Sequence, residues 1–449
     1  MGARKNVQYE CSSCGAVTSS WSGKCMSCGE WNTLNEQLLV ENIGQAIKHG
    51  QTLSSTPLNK ADKIKNEPRV ASTIPEVDVV LGGGFVAGSV NLIAGQPGIG
   101  KSTLLLQIAS AIGDQVPVLY VSGEESVHQV ASRSDRLKTK GSYLEIASSA
   151  SADDIATTIA SKKYKLVIVD SIQTISVEGV SSAAGSVSQI TNSTHVLSMV
   201  AKSTNTALII VGHVTKEGSI AGPKVLEHLV DVVLQIEGDR YGGFKVLRGV
   251  KNRYGSTNEV GIFEMLESGM QPVKNPSAAL LAERQISDGS IVLATMEGSR
   301  PLLVEVQALV NKSSYGYPKR AASGIDLNRV NLLIAMLERR TKLKLAEHDI
   351  YINIVGGMKV SEPAADLAVC MAIASASKGL QLKKNAVVFG ELGLSGEIRH
   401  VPYVEKRVQE ATKLGFDGAI GPKIRTGEKP AQLHEVTDIR AALNGFLES

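Results

Sequence analysis

Gly95-Gln96-Pro97-Gly98-Ile99-Gly100-Lys101-Ser102 decides the fold of this chain. The eight residues match G-x-x-x-x-G-K-[ST], a glycine-rich loop whose backbone N–H groups wrap the phosphates of a nucleotide. Residues 90–94 (VNLIA) read as a short buried strand, and residues 102–112 (STLLLQIASAI) as an apolar helix stopped by Gly113. The helix N-terminus then faces the phosphates, Lys101 neutralises β/γ charge, and the Ser102 hydroxyl is placed to ligate Mg²⁺. A bare glycine turn with a helix cap could share these letters. Strand, loop and helix in this order instead point to ATP, held by Gly95 to Ser102 with Thr103 and Asp170.

Outward from the loop, strand and helix alternate from about residue 70 to 270. Strand candidates are 116–122, 165–170, 207–214, 230–237 and 244–250. Such alternation predicts a mostly parallel sheet covered by helices, with functional groups at the C-terminal strand ends. Asp170 ends the apolar run 166–169, where a carboxylate can hold the Mg²⁺ hydration shell opposite Ser102 or simply form a turn. Ser122-Gly123-Glu124-Glu125 fits a capping box, with Ser122 at N-cap and Glu125 at N3. That leaves Glu124 to face the γ-phosphate and activate the attacking water. His213 ends the next strand and can sense the γ-phosphate, unless it is an ordinary strand-end histidine. Lys251-Asn252-Arg253 follows the last expected core strand, too far along to reach this subunit's own P-loop easily. Two cations there suit an arginine-finger role across a subunit interface, although K-N-R-Y-G also reads as a solvated turn.

Upstream, Cys11-Ser12-Ser13-Cys14 and Cys25-Met26-Ser27-Cys28 form two C-x-x-C knuckles. Four thiolates this close together suit one tetrahedral Zn²⁺, and so short a segment needs the metal to fold. A redox pair is the competing reading. Gly15 and Gly29 follow the second cysteine of each knuckle, and Trp21 and Trp31 flank the second knuckle. Cys370 lies in LAVCMAIA and reads as a core residue. The boundaries expected are a C4 zinc finger over 1–34, a linker over 35–66, an ATPase core over 67–272 and a further α/β domain over 280–449.

The 449 residues are 43% hydrophobic and 20% charged, with a net charge of +3, an ordinary globular mixture without a bulk signal for nucleic acid. No run is long enough to span a membrane and no signal-peptide core opens the chain, so a cytoplasmic protein without membrane partners is expected.

The approach segment Ile74-Pro75-Glu76-Val77-Asp78-Val79-Val80-Leu81-Gly82-Gly83-Gly84 resembles the RecA/DnaB superfamily of ring- and filament-forming ATPases. With the zinc knuckles (WSGKCMSCGEW), the P-loop and Lys251-Asn252-Arg253-Tyr254-Gly255, the chain is similar to the bacterial RadA/Sms DNA-repair family over essentially its whole length. The resemblance implies a homo-hexameric ring with ATP between subunits and DNA, single-stranded or branched, along the channel. It implies a DNA-dependent ATPase and helicase acting beside the strand-exchange recombinase RecA in branch migration. Family roles fall on Lys101 and Ser102 for phosphate and Mg²⁺, Asp170 for metal, Glu124 for water activation, His213 as γ-phosphate sensor, and Lys251 and Arg253 in trans. The loops 176–189 and 215–224, with Lys216 and Lys224, are expected to line the channel. The alternative is a KaiC-like ATPase acting as a regulatory or assembly switch.

The C-terminal region resembles the proteolytic domain of Lon, in Gly356-Gly357-Met358-Lys359-Val360-Ser361-Glu362-Pro363-Ala364-Ala365-Asp366 and in 390–416. Ala364 stands in place of the nucleophilic serine and Glu405 in place of the lysine, with Ser361 and Lys406 displaced by a few residues. Neither replacement can perform dyad chemistry, so no peptidase is expected. Lys312, Lys319, Arg320, Arg339, Arg340, Lys342 and Lys344, interleaved with Tyr315 and Tyr317, offer a basic surface to duplex DNA.

Overall fold

The computed structural model describes residues 7–11, 13–14, 16–38, 57, 69–213, 225–238, 243–314, 317–424 and 428–447. Gly15, most of the expected linker, the loop 215–224 and Tyr315 lie outside the described residues. The chain divides into two compact units, Met1–Asn66 and Glu67–Ser449.

In the first unit β1 (Val7–Cys11) pairs antiparallel with β2 (Val17–Thr18) and β3 (Leu34–Leu38). The zinc-finger sheet therefore runs to Leu38, into the stretch read as linker. LNEQL is polar enough to pass for a connector, and only pairing with β1 marks it as a strand.

The second unit opens with a small ribbon, β4 (Arg69–Val70) against β5 (Phe85–Val86), around helix α1 (Pro75–Leu81). A nine-stranded sheet follows, built from β6 (Val90–Gly95), β7 (Val118–Ser122), β8 (Leu144–Ser148), β9 (Leu166–Asp170), β10 (Ala207–His213), β11 (Val232–Gly238), β12 (Lys245–Asn252), β13 (Val260–Leu266) and β14 (Gly269–Pro272). Its order is β14-β13-β12-β11-β6-β10-β9-β7-β8. The strands from β11 to β8 are parallel and β12 to β14 antiparallel. The helices are α2 (Lys101–Gly113), α3 (Val127–Arg136), α4 (Ala152–Ser161), α5 (Val187–Thr204) and α6 (Val225–Leu229). Successive side chains of a strand point to opposite faces, and both faces are buried here. Ile93, Ile168 and Ile209 enter one core with Leu104 and Leu105, while Leu92, Val167 and Ile210 enter the other with Ile190 and Leu197. That two-sided burial is why the strands read as unbroken apolar runs.

The remaining sheet has the order β17-β18-β16-β15-β19-β22-β23, from β15 (Ser290–Glu297), β16 (Arg300–Lys312), β17 (Arg320–Ser323), β18 (His348–Ile354), β19 (Ala386–Val388), β22 (Gly418–Pro422) and β23 (Leu433–Val436). A two-stranded ribbon, β20 (Glu391–Leu392) with β21 (Ile398–Arg399), precedes β22. Helices α7 (Pro276–Leu281), α8 (Leu327–Arg340), α9 (Asp366–Lys378), α10 (Val404–Lys413) and α11 (Ile439–Phe446) complete the fold. Helix α9 is buried from Asp366 to Ser375, and Cys370 sits inside it with burial pushing its thiol pKa well up. The thiol is inert core, as expected.

The two sheets of this unit share a core. Val246, Val260 and Ile262 belong to the same buried cluster as Ile291 to Ala294. Polar contacts rivet the seam. Arg300 Nη1 donates to Glu76 at 2.8 Å, Ser299 Oγ donates to Glu259 at 2.8 Å, and Arg248 pairs with Glu297.

Candidate functional site

The P-loop joins β6 to α2, and strand register brings the other candidates to it. His213 pairs with Gly95, Val169 with Ile210, and Ser122 with Asp170. Gly95, His213, Asp170 and the turn after Ser122 thus share the C-terminal edge of the parallel strands, where ligands of open α/β sheets bind.

Backbone shape makes the cradle. Gly98 and Gly100 have φ of +79° and +111°, a region that side chains avoid. A Cβ on Gly100 would stand 2.4 Å from Met265 Cε, whereas one on Gly98 would meet nothing within 4 Å, so open space lies over the loop. Helix α2 has no side-chain hydrogen bond capping its N-terminus. Its first amides suit an anion there.

Lys101 is only 5% exposed, and its Nζ donates to the Gly95 and Gln96 carbonyls at 2.8 and 3.1 Å. Burial pushes the ammonium pKa down, and the Asp170 and Glu124 carboxylates pull it back up. The Tyr120 hydroxyl donates to Asp170 Oδ2 at 2.7 Å. Burial first, then the Asp170 charge, raises the Tyr120 pKa, which keeps the hydroxyl a donor. Ser171 Oγ donates to Glu124 Oε1 at 2.6 Å.

Two readings around Glu124 change. Glu124 is not without a partner, because Ser171 holds its carboxylate beside Asp170. The capping box of α3 is Ser126 with Gln129, four residues beyond the expected Ser122 with Glu125. Ser122 Oγ still accepts the Glu125 N–H at 2.8 Å, but Glu125 pairs with Arg133. Two consecutive S-x-x-[EQ] patterns compete here, and the helix begins at the second. The segment 176–189 is also less loose than its composition implies. Gln189, buried at the start of α5, accepts the Val177 N–H and donates to the Val180 and Ser182 carbonyls.

Lys251 and Arg253 lie elsewhere. Asn252 pairs with Val232, which is level with Asn91 near the start of β6, whereas Gly95 is level with Ile236. The cations therefore sit at the edge of the sheet opposite the P-loop. Lys251 Nζ donates to the Glu227 and Val230 carbonyls at 2.5 and 2.7 Å, and Arg253 Nη1 to Asp231 Oδ1 at 3.1 Å. They do not follow the last core strand, since β13 and β14 come after them.

In the first unit the four cysteine Sγ atoms lie within 4.8 Å of one another. Cys11 and Cys28 are 3.6 Å apart, and Cys14 and Cys25 3.7 Å. Tetrahedral Zn–S bonds of about 2.3 Å give sulfur–sulfur edges of ~3.8 Å, so the donor set fits zinc. The Thr33 hydroxyl, 3.2 Å from Cys11 Sγ, lowers its pKa to about 6, helped by the Ser13 and Cys14 amides and opposed by burial. Trp21 and Trp31 are 59% and 68% exposed, with Lys24 Nζ 5.6 Å from the Trp31 ring centre. Chelation should release close to one zinc per chain and unfold only this unit. A colorimetric zinc assay with near-UV circular dichroism checks both, and a metal content far from one per chain would refute the assignment.

In the C-terminal region Ala364 is buried in the turn Pro363–Ala365, and Glu405 lies on α10. Ser361 lines a cavity with Arg329, Lys359 and Asp366, whereas Lys406 lines a different one and donates to the Ser299 carbonyl at 3.1 Å. Beside Ala364, the fully buried Arg407 makes a two-point pair with Glu362, both contacts at 2.8 Å. Breaking such a pair costs about 3–5 kcal/mol. Arg407→Ala should therefore lower the unfolding free energy of the large unit by that much, read from the denaturant midpoint and slope; a change under ~1 kcal/mol would contradict it. Lys312, Lys319, Lys342 and Lys344 are exposed, with Lys312 paired to His348 and Lys319 bonded to Ile350 at one end of β18.

Strand, glycine loop, helix and the flanking carboxylates define a P-loop ATPase with a RecA-like core, carrying a four-cysteine zinc ribbon and a Lon-protease-like α/β domain. Family models described as AAA domain, Rubredoxin metal binding domain and Subunit ChlI of Mg-chelatase match residues 59–219, 9–36 and 321–424. The chain is 46% identical to DNA repair protein RadA of Listeria monocytogenes, over 99% of both chains. To the protein of that name in Bacillus subtilis it is 47% identical, over 94% of this chain and 93% of that one. A KaiC-like protein of Pyrococcus horikoshii aligns at 18% identity and a TM-score of 0.39, covering 46% of this chain and 100% of that one. The chain belongs to the RadA family of DNA repair proteins. Among the described residues, no helix is long and apolar enough to cross a membrane.

Proposed function

We propose that this protein is an ATP-driven DNA motor, a homo-hexameric helicase that extends recombination intermediates by branch migration beside the strand-exchange recombinase RecA. The observation that carries the reading is the separation of Lys251 and Arg253 from their own P-loop. Cations at the far edge of the sheet serve a nucleotide only if that nucleotide belongs to the next subunit.

In this mechanism the amides of residues 96–102 and the first turn of α2 cradle the phosphates. Lys101 gives up its carbonyl partners for the β/γ oxygens. Ser102 and Asp170 would hold Mg²⁺, which when bound offsets phosphate charge. Tyr120 fixes the Asp170 carboxylate. Glu124, aimed by Ser171, takes the proton of the attacking water, and His213 reports the γ-phosphate to the segment that follows it. Arg253 and Lys251 of the neighbour stabilise the charge that develops on the transferred group. DNA, single-stranded or branched, is gripped through its backbone, with the exposed lysines around β18 adding duplex contacts.

ATP turnover should rise severalfold with single-stranded DNA, and labelled forked DNA should be unwound in an ATP-dependent way. Phosphate release and gel displacement measure the two. Turnover that ignores DNA, with forks left intact, would contradict the proposal.

A further inference from the structure

Asp231, between α6 and β11, is 3% exposed, and its contacts run in two directions. Toward the P-loop strand, its Oδ2 accepts the Val90 N–H at 3.0 Å and its own N–H donates to the Val90 carbonyl at 2.8 Å. Val90 is the first residue of β6. Toward the distal cations, its Oδ1 meets Arg253 Nη1 at 3.1 Å, its carbonyl accepts the Arg253 N–H at 3.2 Å, and Lys202 Nζ stands 3.9 Å from Oδ1. Arg253 and Lys202 are each 56% exposed.

A neutral amide would satisfy the Val90 N–H as well as a carboxylate does. Burying a charge is costly unless it is paired, so the negative charge has its use toward the cations around it, Arg253 and Lys202 in contact and Lys251 through its charge alone. One of them is Arg253, the arginine proposed above to act on the nucleotide of a neighbouring subunit. We propose that Asp231 is a positioning residue for hydrolysis in the next subunit: it fixes the Arg253 guanidinium, outward-facing and in one rotamer, against the base of the strand that carries the protein's own P-loop. This rests on the reading of Arg253 as a group acting in trans. A long side chain held in place before assembly loses less rotamer freedom when it meets the phosphates. The same carboxylate ties that arginine to β6, so a shift of one subunit's P-loop strand on nucleotide binding moves the cation offered to the next.

The test uses Asp231→Asn in the full-length protein, which keeps an acceptor for Val90 and removes the charge. Turnover should fall about tenfold or more at saturating ATP, with KM within about twofold of the wild type. Mixed with Lys101→Ala, which keeps Asp231 and Arg253 but lacks a working P-loop, the variant should regain activity, because a K101A subunit then offers a positioned arginine to an intact D231N site. A defect internal to the D231N subunit would not be restored this way. The mixture of Arg253→Ala with Lys101→Ala, run alongside, reports on the trans reading itself. Recovery in that mixture but not with D231N overturns the role given to Asp231 and leaves the trans reading standing. Wild-type turnover by D231N also overturns it. Recovery in neither mixture removes both. Asp231→Ser, another uncharged acceptor, replaces the asparagine variant if that one does not melt like the wild type.

Discussion

Lys101→Ala is expected to abolish ATP turnover, with a loss of at least ~10³-fold, corresponding to about 4 kcal/mol of transition-state stabilisation. The reasoning runs from position. The ammonium is buried at the first turn of α2, close to Asp170 and Glu124, and its present partners are two carbonyls of the loop itself. Those carbonyls are weak competitors for a charged phosphate, so the lysine transfers on binding and its charge counts most when charge builds on the γ-oxygens. Losing the two charge-assisted carbonyl contacts costs about 1.5–3 kcal/mol each, so a thermal melt run beside the assay checks that the large unit stays folded. Titration with a fluorescent ATP analogue should show at least tenfold weaker binding, and phosphate release should reach background. Unaltered turnover would mean that 95–102 is not the site of hydrolysis.

Arg253→Ala has the second largest expected effect and a different signature. Its own P-loop, Asp170 and Glu124 are untouched, so ATP binding should match the wild type while turnover falls ~10³-fold, the scale of a lost arginine finger. Mixing should reveal where the residue acts. In rings shared with Lys101→Ala, the intact arginine of a K101A subunit meets the intact P-loop of an R253A subunit, so turnover should return although neither variant is active alone. No recovery in that mixture would place Arg253 in its own subunit.

Much of the ATPase core was legible in the sequence because both sheet faces are buried. Strands such as LVIVD and ALIIV then stand out as apolar runs ending at a polar residue, and P-loop spacing fixes which strand ends matter. The antiparallel β13 and β14 were missed because VGIFEMLESGMQP mixes polar and apolar residues, as suits strands at a sheet edge. Second partners were also invisible. Nothing local says that Ser171 holds Glu124 or that Tyr120 holds Asp170, since each contact joins different strands. The neighbour relation Asp170-Ser171 and the tyrosine inside the otherwise aliphatic run VLYV were the only available hints. The Ser122 capping box failed for the opposite reason, an excess of local signal, with Ser126 and Gln129 offering the same chemistry one turn later. Asp231 carried no motif at all; its meaning comes from Val90 and Arg253, 141 and 22 residues away in sequence. The seam between the two sheets of the large unit has no local signature, because the partners of Ser299 and Arg300, Glu259 and Glu76, lie far away in sequence.

The central claim is that each ATP is hydrolysed by groups from two chains, one supplying 95–102, Asp170 and Glu124, the next supplying Lys251 and Arg253. Its most direct test is turnover per chain across a dilution series, with mass photometry reporting assembly at each concentration. The account predicts that turnover per chain collapses as rings dissociate and vanishes in isolated monomers. Monomers that hydrolyse ATP at the rate of the assembled protein would contradict it.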